Sequence, residues 1–271
     1  MALKDFTEPT YLFIDAEHLR QYYSEFAMGW FGEEGRINFD RIKSVAGALR
    51  LFYYDSLDEK RKPKESEADF EQRIKARQGE YADVRSVRGA HVRLGTVTGE
   101  KRRQQKQVDI LLAVDMMNHA VRQNMKRAVL LTGDQDFKPV VDSLVLLGTF
   151  VEVWGDQRHT SSNLVEAADS HRMLTAREYH DFSVESFKQK QPLPESLSIV
   201  YKDDYYEGEL WARGRLGNRT FVQSKVGNQW HIYALEPGRD VAIVYSSPNE
   251  GRLRLYLKLF YDDVQWESAA D

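Results

Sequence analysis

Short apolar runs alternate with segments of helical spacing along the first 180 residues, and this alternation restricts the fold more than any other feature of the sequence. The apolar runs are short enough to be buried strands and lie at residues 11–14, 49–54, 91–97, 128–131 and 150–154. Helical periodicity occurs at residues 39–49, 66–84, 108–123 and 137–148. The alternation predicts an α/β fold, with a mostly parallel sheet flanked by helices on both faces.

The pattern changes near residue 190, where Pro192 and Pro194 lie in the polar stretch KQKQPLPESLS. Beyond it the chain reads as successive strands: SIVYK, YEGELWARGRL, RTFVQSKVGNQWHIYAL, DVAIVYSS and GRLRLYLKLFY. Turn residues at 227–228 and 248–251 separate some of these strands. We therefore predict an α/β domain at residues 1–185, a linker at 186–196 and a small C-terminal antiparallel β-domain at 197–271.

The composition is that of a globular protein. The 271 residues are 42% hydrophobic and 30% charged, with a net charge of −4. The chain has no cysteine, which excludes disulfides and thiolate metal sites and favours a cytoplasmic location. The apolar run at residues 11–14 is too short for a signal peptide or a membrane span, so we expect no association with a membrane.

Aspartates follow three of the predicted strands at or near their ends. They are Asp15, Asp55, and the pair Asp134 and Asp136. Asp109 opens the predicted helix VDILLAV, which would begin at the same edge of the sheet, where ligands bind in open parallel sheets. Crowded carboxylates repel one another unless a cation offsets their charge, and Mg²⁺ or Mn²⁺ suits such oxygen ligands. One or two such ions could activate a water for attack on a phosphate.

Three of these aspartates also have a structural interpretation. Asp136 is equally well placed to be the N-cap of the helix that begins near Phe137. A loop or cap role is favoured for Asp55, which makes it a secondary candidate, and Asp109 near a helix start is weak evidence by itself. Asp115 lies six positions after Asp109 and is expected on the solvated surface of the helix.

Three stretches resemble, in order and spacing, the signature motifs of the NYN-domain family, the LabA-like proteins related to PIN-domain nucleases. They are FIDAEHL, KQVDILLAVDM and LLTGDQDFKPVVDSLVLLGTFVEVWG, and the resemblance covers about residues 10–180. It implies a PIN-like α/β sheet, a magnesium- or manganese-dependent site and action on RNA. Matched motif by motif, the family's acidic residues fall on Asp15, Asp109, Asp134 and Asp136.

The sequence departs from the family pattern at His18. Proteins of the family usually have asparagine at this place, in the pattern D-x-x-N-L that begins at the first aspartate, Asp15 here. Histidine can also donate a hydrogen bond or bind a metal, so His18 is a candidate contact to the substrate.

Basic residues are concentrated just before Asp109. Seven lysines and arginines against one glutamate give residues 85–106 a local charge of +6. Lysine and arginine provide the main, salt-dependent part of nucleic-acid affinity, so Arg102, Arg103 and Lys106 are candidates to hold an RNA backbone. The alternative is a solvated surface loop.

The predicted β-domain is rich in aromatic residues: Tyr201, Tyr205, Tyr206, Trp211, Phe221, Trp230, Tyr233, Tyr245 and Tyr256. Exposed aromatic rings could stack unpaired bases, although a domain of this size also needs large residues for its core. Binding of another protein, or of a second copy of the chain in a homo-oligomer, is the other interpretation.

Two functional hypotheses follow. The first is a metal-dependent ribonuclease in which the four family aspartates hold the ions, Thr132 orients a carboxylate, and RNA, with DNA as an alternative, is the substrate. The second is an RNA-binding regulatory protein that keeps the fold but has lost efficient cleavage. The sequence contains no G-x-S-x-G motif, P-loop or strand-linked G-x-G-x-x-G motif, so it lacks the signals of serine hydrolases, nucleoside triphosphatases and dinucleotide-binding proteins.

Overall fold

The chain forms two compact units, Met1–Glu25 with Gly35–Val184, and Phe26–Glu34 with Glu185–Asp271. The structure, a computed structural model, describes residues 8–56, 61, 63–95, 101–156, 158–193, 198–201, 208–258, 260–261 and 264–268. Within these ranges the side chains of residues 101–106, 198, 199 and 201 are not described. No helix in the described part of the chain is long and apolar enough to cross a membrane.

The first unit contains a six-stranded, wholly parallel sheet, which confirms the predicted α/β fold class. Its strands are β1 (Thr10–Asp15), β2 (Arg50–Asp55), β3 (Ala90–Leu94), β4 (Arg127–Leu131), β5 (Phe150–Asp156) and β6 (Ser170–Leu174). They are arranged in the order β3-β2-β1-β4-β5-β6. The sixth strand was not predicted, because SHRML is mostly polar and only Leu174 is buried.

Helices cover both faces of this sheet. They are α1 (Ala16–Phe31), α2 (Phe39–Val45), α3 (Glu67–Ser86), α4 (Lys101–Val121), α5 (Lys138–Leu146), α6 (Ser162–Ala167) and α7 (Ala176–Asp181). Alternate residues of β1 point to opposite faces, since Tyr11 and Phe13 join a cluster with α4 and α5 while Leu12 and Ile14 are buried outside that cluster. The cap predicted at Asn38 is present, because its side chain accepts a hydrogen bond from the Arg41 N–H.

Helix α4 begins seven residues earlier than predicted, at Lys101 rather than Val108. The segment KRRQQKQ was interpreted as part of a loop because it lacks apolar residues, but lysine, arginine and glutamine are good helix formers. The buried stripe of the helix starts only at Val108 and continues through Leu112 and Met116. Asp109 therefore lies well inside the helix and not at its N-terminus.

The second unit is built on an antiparallel sheet, as predicted. Its strands are β7 (Ser198–Tyr201), β8 (Glu209–Leu216), β9 (Arg219–Val226), β10 (Gln229–Leu235), β11 (Val241–Ser247) and β12 (Gln265–Ser268), in the order β12-β8-β9-β10-β11-β7. Helix α8 (Glu185–Lys190) occupies part of the predicted linker.

The predicted strand GRLRLYLKLFY is wrong, because the segment forms helix α9 (Glu250–Leu257). Asn249, interpreted as a turn residue, caps this helix by accepting a hydrogen bond from the Arg252 N–H at 3.0 Å. Leu253, Tyr256 and Leu257 are spaced for one helix face and are buried against the sheet. The spacing of the apolar residues fits both a strand and a helix. The cap at Asn249 and the packing of one helix face against the sheet favour the helix.

Most of the aromatic residues proposed to stack bases belong to the core of the second unit. Phe221, Tyr233, Tyr245 and Tyr256 are all buried. Tyr205 and Tyr206, with the side chain of Tyr201, lie outside the described residues. Trp211 is exposed and Trp230 is half-buried, so these two tryptophans are the ones that remain accessible among those described.

Candidate active site

Neighbouring parallel strands of the first unit bring several acids to one edge of the sheet. Asp15, Asp55 and Asp156 are the last residues of β1, β2 and β5, and Asp134 follows β4 by three residues. Strand β1 pairs with both β2 and β4, so the order of the strands reverses at β1. A parallel sheet binds ligands at the carboxyl ends of its strands beside such a reversal, and Asp15 lies there.

The Asp15 carboxylate is held by three donors. Its Oδ1 accepts hydrogen bonds from the Glu17 N–H at 3.1 Å and the His18 N–H at 3.3 Å, at the start of α1. Its Oδ2 accepts from the Thr132 hydroxyl at 3.0 Å. Burial nevertheless raises the pKa of Asp15 to about 6, because these hydrogen bonds offset only part of the cost of desolvating the charge.

The loop TGDQD after β4 uses Asp134, and not Asp136, as a cap. The Asp134 side chain accepts a hydrogen bond from the Asp136 N–H at 2.9 Å and caps the 3-10 turn Gln135–Phe137. Helix α5 then begins after Phe137, with no side-chain cap. The interpretation of Asp136 as an N-cap is therefore wrong. Its carboxylate is exposed and accepts no hydrogen bond from the described residues.

Asp109 is the most perturbed acid of this edge. It is half-buried on α4, and burial raises its pKa to about 7. Negative charge adds to the rise, and its sources are Asp15, Asp134, Asp136 and Glu17. The charges of the other three candidate aspartates thus act on Asp109, and we refer to Asp15, Asp109, Asp134 and Asp136 as the aspartate cluster.

We expect the Asp109→Asn substitution to stabilise the metal-free protein increasingly as the pH rises from about 4 to about 8. In the unfolded chain Asp109 loses its proton near its ordinary pKa of 3.8, but in the fold only near 7. The wild type therefore loses stability over this interval, whereas asparagine has no proton to lose. One pKa unit corresponds to about 1.4 kcal/mol, and solvent screening of the half-buried group reduces the effect, so we expect a difference of about 1–3 kcal/mol.

Urea unfolding in EDTA at about pH 4, 6 and 8 measures this difference. Glu71→Gln is the control, because Glu71 is an exposed carboxylate on α3. Parallel stability curves for the wild type and Asp109→Asn would contradict the crowding of charge at Asp109.

His18 lies beside the Asp134 loop. Its Nδ1 accepts a hydrogen bond from the Gly133 N–H at 3.2 Å, so a neutral ring carries its proton on Nε2. Burial lowers the pKa of His18 to about 4, which keeps the ring neutral at pH 7. Its Nε2 is buried, and no described residue accepts a hydrogen bond from it. The loop also needs a glycine here, since a Cβ at Gly133 would lie 2.6 Å from the His18 ring and 2.7 Å from the carbonyl oxygen of His159.

Aromatic rings extend from His18 toward solvent. The Tyr22 ring contacts the His18 ring edge-on at 4.6 Å and stacks on the exposed ring of His159 at 4.8 Å. Neither Tyr22 nor His159 was singled out from the sequence. A signal existed for Tyr22, which lies one helical turn after His18 and therefore on the same face of α1.

Asp156 was also missed. It is buried, and its carboxylate accepts hydrogen bonds from the Arg158 N–H at 2.9 Å and the Tyr179 hydroxyl at 3.3 Å. The predicted strand ended at Trp154, two residues too early, so Asp156 did not register as a strand-end acid. Its charge acts on His18, which links it to the candidate site.

The Asp55 carboxylate is held by hydrogen bonds from neighbouring residues. Its Oδ2 receives hydrogen bonds from Arg20 at 2.7 Å, Arg77 at 2.6 Å and the Tyr81 hydroxyl at 2.8 Å, while its Oδ1 accepts from the Ser56 N–H. The carboxylate is only 5% exposed. These contacts join β2 to α1 and α3, so the geometry of Asp55 is that of a structural anchor.

Asp115 is not the solvated surface residue that we expected. It is half-buried and accepts hydrogen bonds from the Tyr54 hydroxyl at 3.0 Å and Arg93 at 2.9 Å. Arg93 belongs to the basic stretch, and this ion pair offsets part of the stretch's positive charge.

Arg102, Arg103 and Lys106 occupy the first turns of α4 and not a loop. Their side chains lie outside the described residues. Positions 102 and 106 precede Asp109 by seven and three residues and so fall on the same side of the helix as Asp109.

The aspartate cluster fits a divalent cation in chemistry but does not form a closed cage. Its donors are all carboxylate oxygens, and a cation would relieve the repulsion that raises the pKa of Asp109. In the described part of the chain, no group of three or more acidic or histidine side chains is arranged to surround an ion. Mg²⁺ is usually bound through one or two carboxylates and retains several waters, so an open arrangement of acids suits it.

A family model and a solved structure match parts of this chain. A crystal structure of a protein of unknown function from Vibrio parahaemolyticus RIMD 2210633 is similar with a TM-score of 0.46 and 18% sequence identity, over 68% of this chain and 100% of that chain. A comparison with curated proteins found no match. The family model of the NYN domain matches residues 9–175, which include every member of the aspartate cluster. The chain therefore belongs to the NYN-domain family, a PIN-like nuclease family.

Proposed function

We propose that this protein is a divalent-metal-dependent ribonuclease that cleaves phosphodiester bonds at the aspartate cluster. The observation that carries the proposal is the position of the acids: Asp15 ends β1, Asp134 follows β4, and Asp109 lines the same cleft as Asp15. Burial and the charges of Asp15, Asp134 and Asp136 raise the pKa of Asp109 to about 7. Acids brought together at such a cost to the fold are typical of a functional site. Membership of the NYN-domain family supports the same class of chemistry.

The chain's own residues would divide the work of binding and orientation. Asp15, Asp109, Asp134 and Asp136 would hold the ion, with Thr132 fixing the Asp15 carboxylate through its hydroxyl. A bound Mg²⁺ or Mn²⁺ would supply the positive charge that activates water and stabilises charge on the phosphate. Arg102, Arg103 and Lys106 would bind the RNA backbone beside the cluster.

His18 would act as a hydrogen-bond donor. Its neutral ring carries the proton on Nε2, which is buried and has no acceptor among the described residues, so an oxygen or ring nitrogen of RNA would reach it only after the side chains that cover it move. Tyr22, which contacts the His18 ring, and His159, which stacks on Tyr22, offer a flat surface next to this donor. His18 would thus orient the substrate.

A second candidate function is RNA binding without efficient cleavage. The observation that favours it is His18, which stands where proteins of the family usually have asparagine. A protein that only binds RNA would need the basic surface but not the aspartates.

Cleavage of end-labelled single-stranded RNA, with DNA in parallel, tests the proposal in Mn²⁺, Mg²⁺ and EDTA. We expect cleavage of RNA that EDTA abolishes and that the Asp134→Asn variant slows at least about tenfold. Asparagine can still accept the hydrogen bond that caps the 3-10 turn, so this variant removes the charge and keeps the loop. RNA that is bound but not cleaved would contradict the proposed ribonuclease activity and favour a protein that only binds RNA.

A further inference from the structure

Two stacked rings lie beside the aspartate cluster. The His159 ring lies nearly parallel to the Tyr22 ring, with 4.8 Å between centroids and 14° between planes. His159 is exposed, whereas Tyr22 is half-buried and meets the His18 ring edge-on. Among the described residues, the His159 ring contacts only the Tyr22 ring, and none forms a hydrogen bond with the His159 side chain. His159 therefore offers exposed ring surface to a ligand.

Short contacts fix this pair relative to the loop that carries Asp134. The His159 N–H donates a hydrogen bond to the carbonyl of Asp156, the last residue of β5, at 3.3 Å. Two residues later, the Ser161 N–H donates to the Gly133 carbonyl at 3.1 Å. The two loops are packed closely here, since a Cβ at Gly133 would lie 2.7 Å from the His159 carbonyl oxygen. The structure thus holds His159 at a defined position beside the aspartate cluster.

The strand order places this pair on the far side of the cluster from the cleft of Asp109. Asp15 and Asp109 line that cleft together with Asp55, the last residue of β2. His159 lies on the opposite side, because it follows β5 by three residues and β1 and β4 separate β2 from β5. Neighbouring strands are about 4.8 Å apart, so β5 runs about 10 Å from β1, the strand that Asp15 ends. A polymer that lies along this edge and crosses the cluster would therefore reach His159 next.

We propose that the Tyr22–His159 pair stacks an unpaired base of single-stranded RNA, at a nucleotide close to the phosphate bound by the aspartate cluster. The proposal rests on the proposed function, which makes RNA the polymer at this edge. Stacking on an aromatic ring holds a base whatever its identity, because every base has a flat face. Bases inside a duplex are already stacked on their neighbours, so the pair selects single strands.

Fluorescence anisotropy with a labelled single-stranded RNA, on the full-length protein in EDTA, measures binding without cleavage. We expect His159→Ala to weaken binding about tenfold, because the ring that stacks on the base is lost. His159→Phe keeps a flat ring, so it should retain most of the affinity. His171→Ala is the control, since His171 is exposed near the start of β6, away from the carboxyl ends of the strands.

RNA with one abasic nucleotide shows whether the ring contacts a base. The abasic position is moved along the strand until binding by the wild type is weakened. At that position the abasic RNA and the normal RNA should bind His159→Ala equally, because both changes remove the same contact. Additive losses would overturn the proposal. Equal affinity of His159→Ala and the wild type for normal RNA would also overturn it, as would no binding of RNA by the wild type in EDTA or in Mn²⁺.

Cleavage assays separate this proposal from the ribonuclease. If binding depends on His159 but no cleavage occurs in Mn²⁺ or Mg²⁺, the ribonuclease is wrong and the stacking site stands. If RNA is cleaved and His159→Ala has the KM and kcat of the wild type, the ribonuclease stands and the stacking site is wrong.

Discussion

Replacement of Asp109 by asparagine is expected to lower the rate of RNA cleavage at least about 100-fold in Mg²⁺ or Mn²⁺. Asp109 lies on α4, and burial and the charges of Asp15, Asp134 and Asp136 raise its pKa. It is therefore the acid that α4 contributes to the cluster. Asparagine has nearly the same shape but weakly attracts a cation. Single-turnover cleavage of end-labelled RNA over a range of metal concentrations measures the effect.

Asp115→Asn is the matched control for this substitution. Asp115 is a half-buried acid on the same helix, but its partners are Tyr54 and Arg93. Asparagine can still accept the hydrogen bond from Tyr54, so we expect folding and cleavage to be maintained. Cleavage by Asp109→Asn at the wild-type rate would show that the aspartate cluster is not the catalytic site.

Replacement of Asp55 by alanine is expected to lower the free energy of unfolding by about 3–5 kcal/mol. The change leaves Arg20, Arg77 and the Tyr81 hydroxyl without the Oδ2 acceptor that they share. Arg77 is only 22% exposed and cannot recover full hydration. Urea unfolding followed by circular dichroism measures the loss.

Asp83→Ala is the control for an exposed ion pair. Asp83 pairs with Arg36, whose side chain is 68% exposed, so its removal should cost no more than about 1 kcal/mol. Asp55 also lines the narrow cleft that contains Asp15 and Asp109, which allows a direct role in binding metal. If Asp55→Ala folds as stably as the wild type but loses cleavage, Asp55 is a metal ligand and not an anchor.

Local patterns were sufficient to locate most of the acids. Asp15 follows four apolar residues in a buried strand, and Asp134 follows VLLTG. Because both acids follow predicted strands, the sequence alone predicted that they lie at one edge of the sheet. Asp109 was selected for a different reason, the start of a helix, which is incorrect because α4 begins at Lys101. Asp109 nevertheless lies near Asp15, because both line the same cleft.

Other features depended on boundaries that the sequence does not mark sharply. Asp156 was missed because β5 continues through Gly155 to Asp156. A Cβ at position 155 would lie 2.0 Å from the Thr160 hydroxyl oxygen, and this contact is visible only in the folded structure. The segment of α9 fits a strand or a helix by periodicity alone. Its cap at Asn249 and its packing on the second sheet determine the outcome.

The sequence by itself determined the α/β class, the mostly parallel sheet of the first unit and the aspartates at or near the ends of its strands. These follow from short-range patterns, because burial of a strand requires consecutive apolar residues and a charged residue marks where burial stops. Only the tertiary structure decided which acids remain available to bind a ligand. Asp55 is held by Arg20 and Arg77, which are distant in sequence, whereas Asp136 receives no hydrogen bond from the described residues. The tertiary structure also turned Trp211 toward Trp230 through a bulge. Such contacts depend on the register between segments, and register is a property of the folded sheet rather than of any one segment.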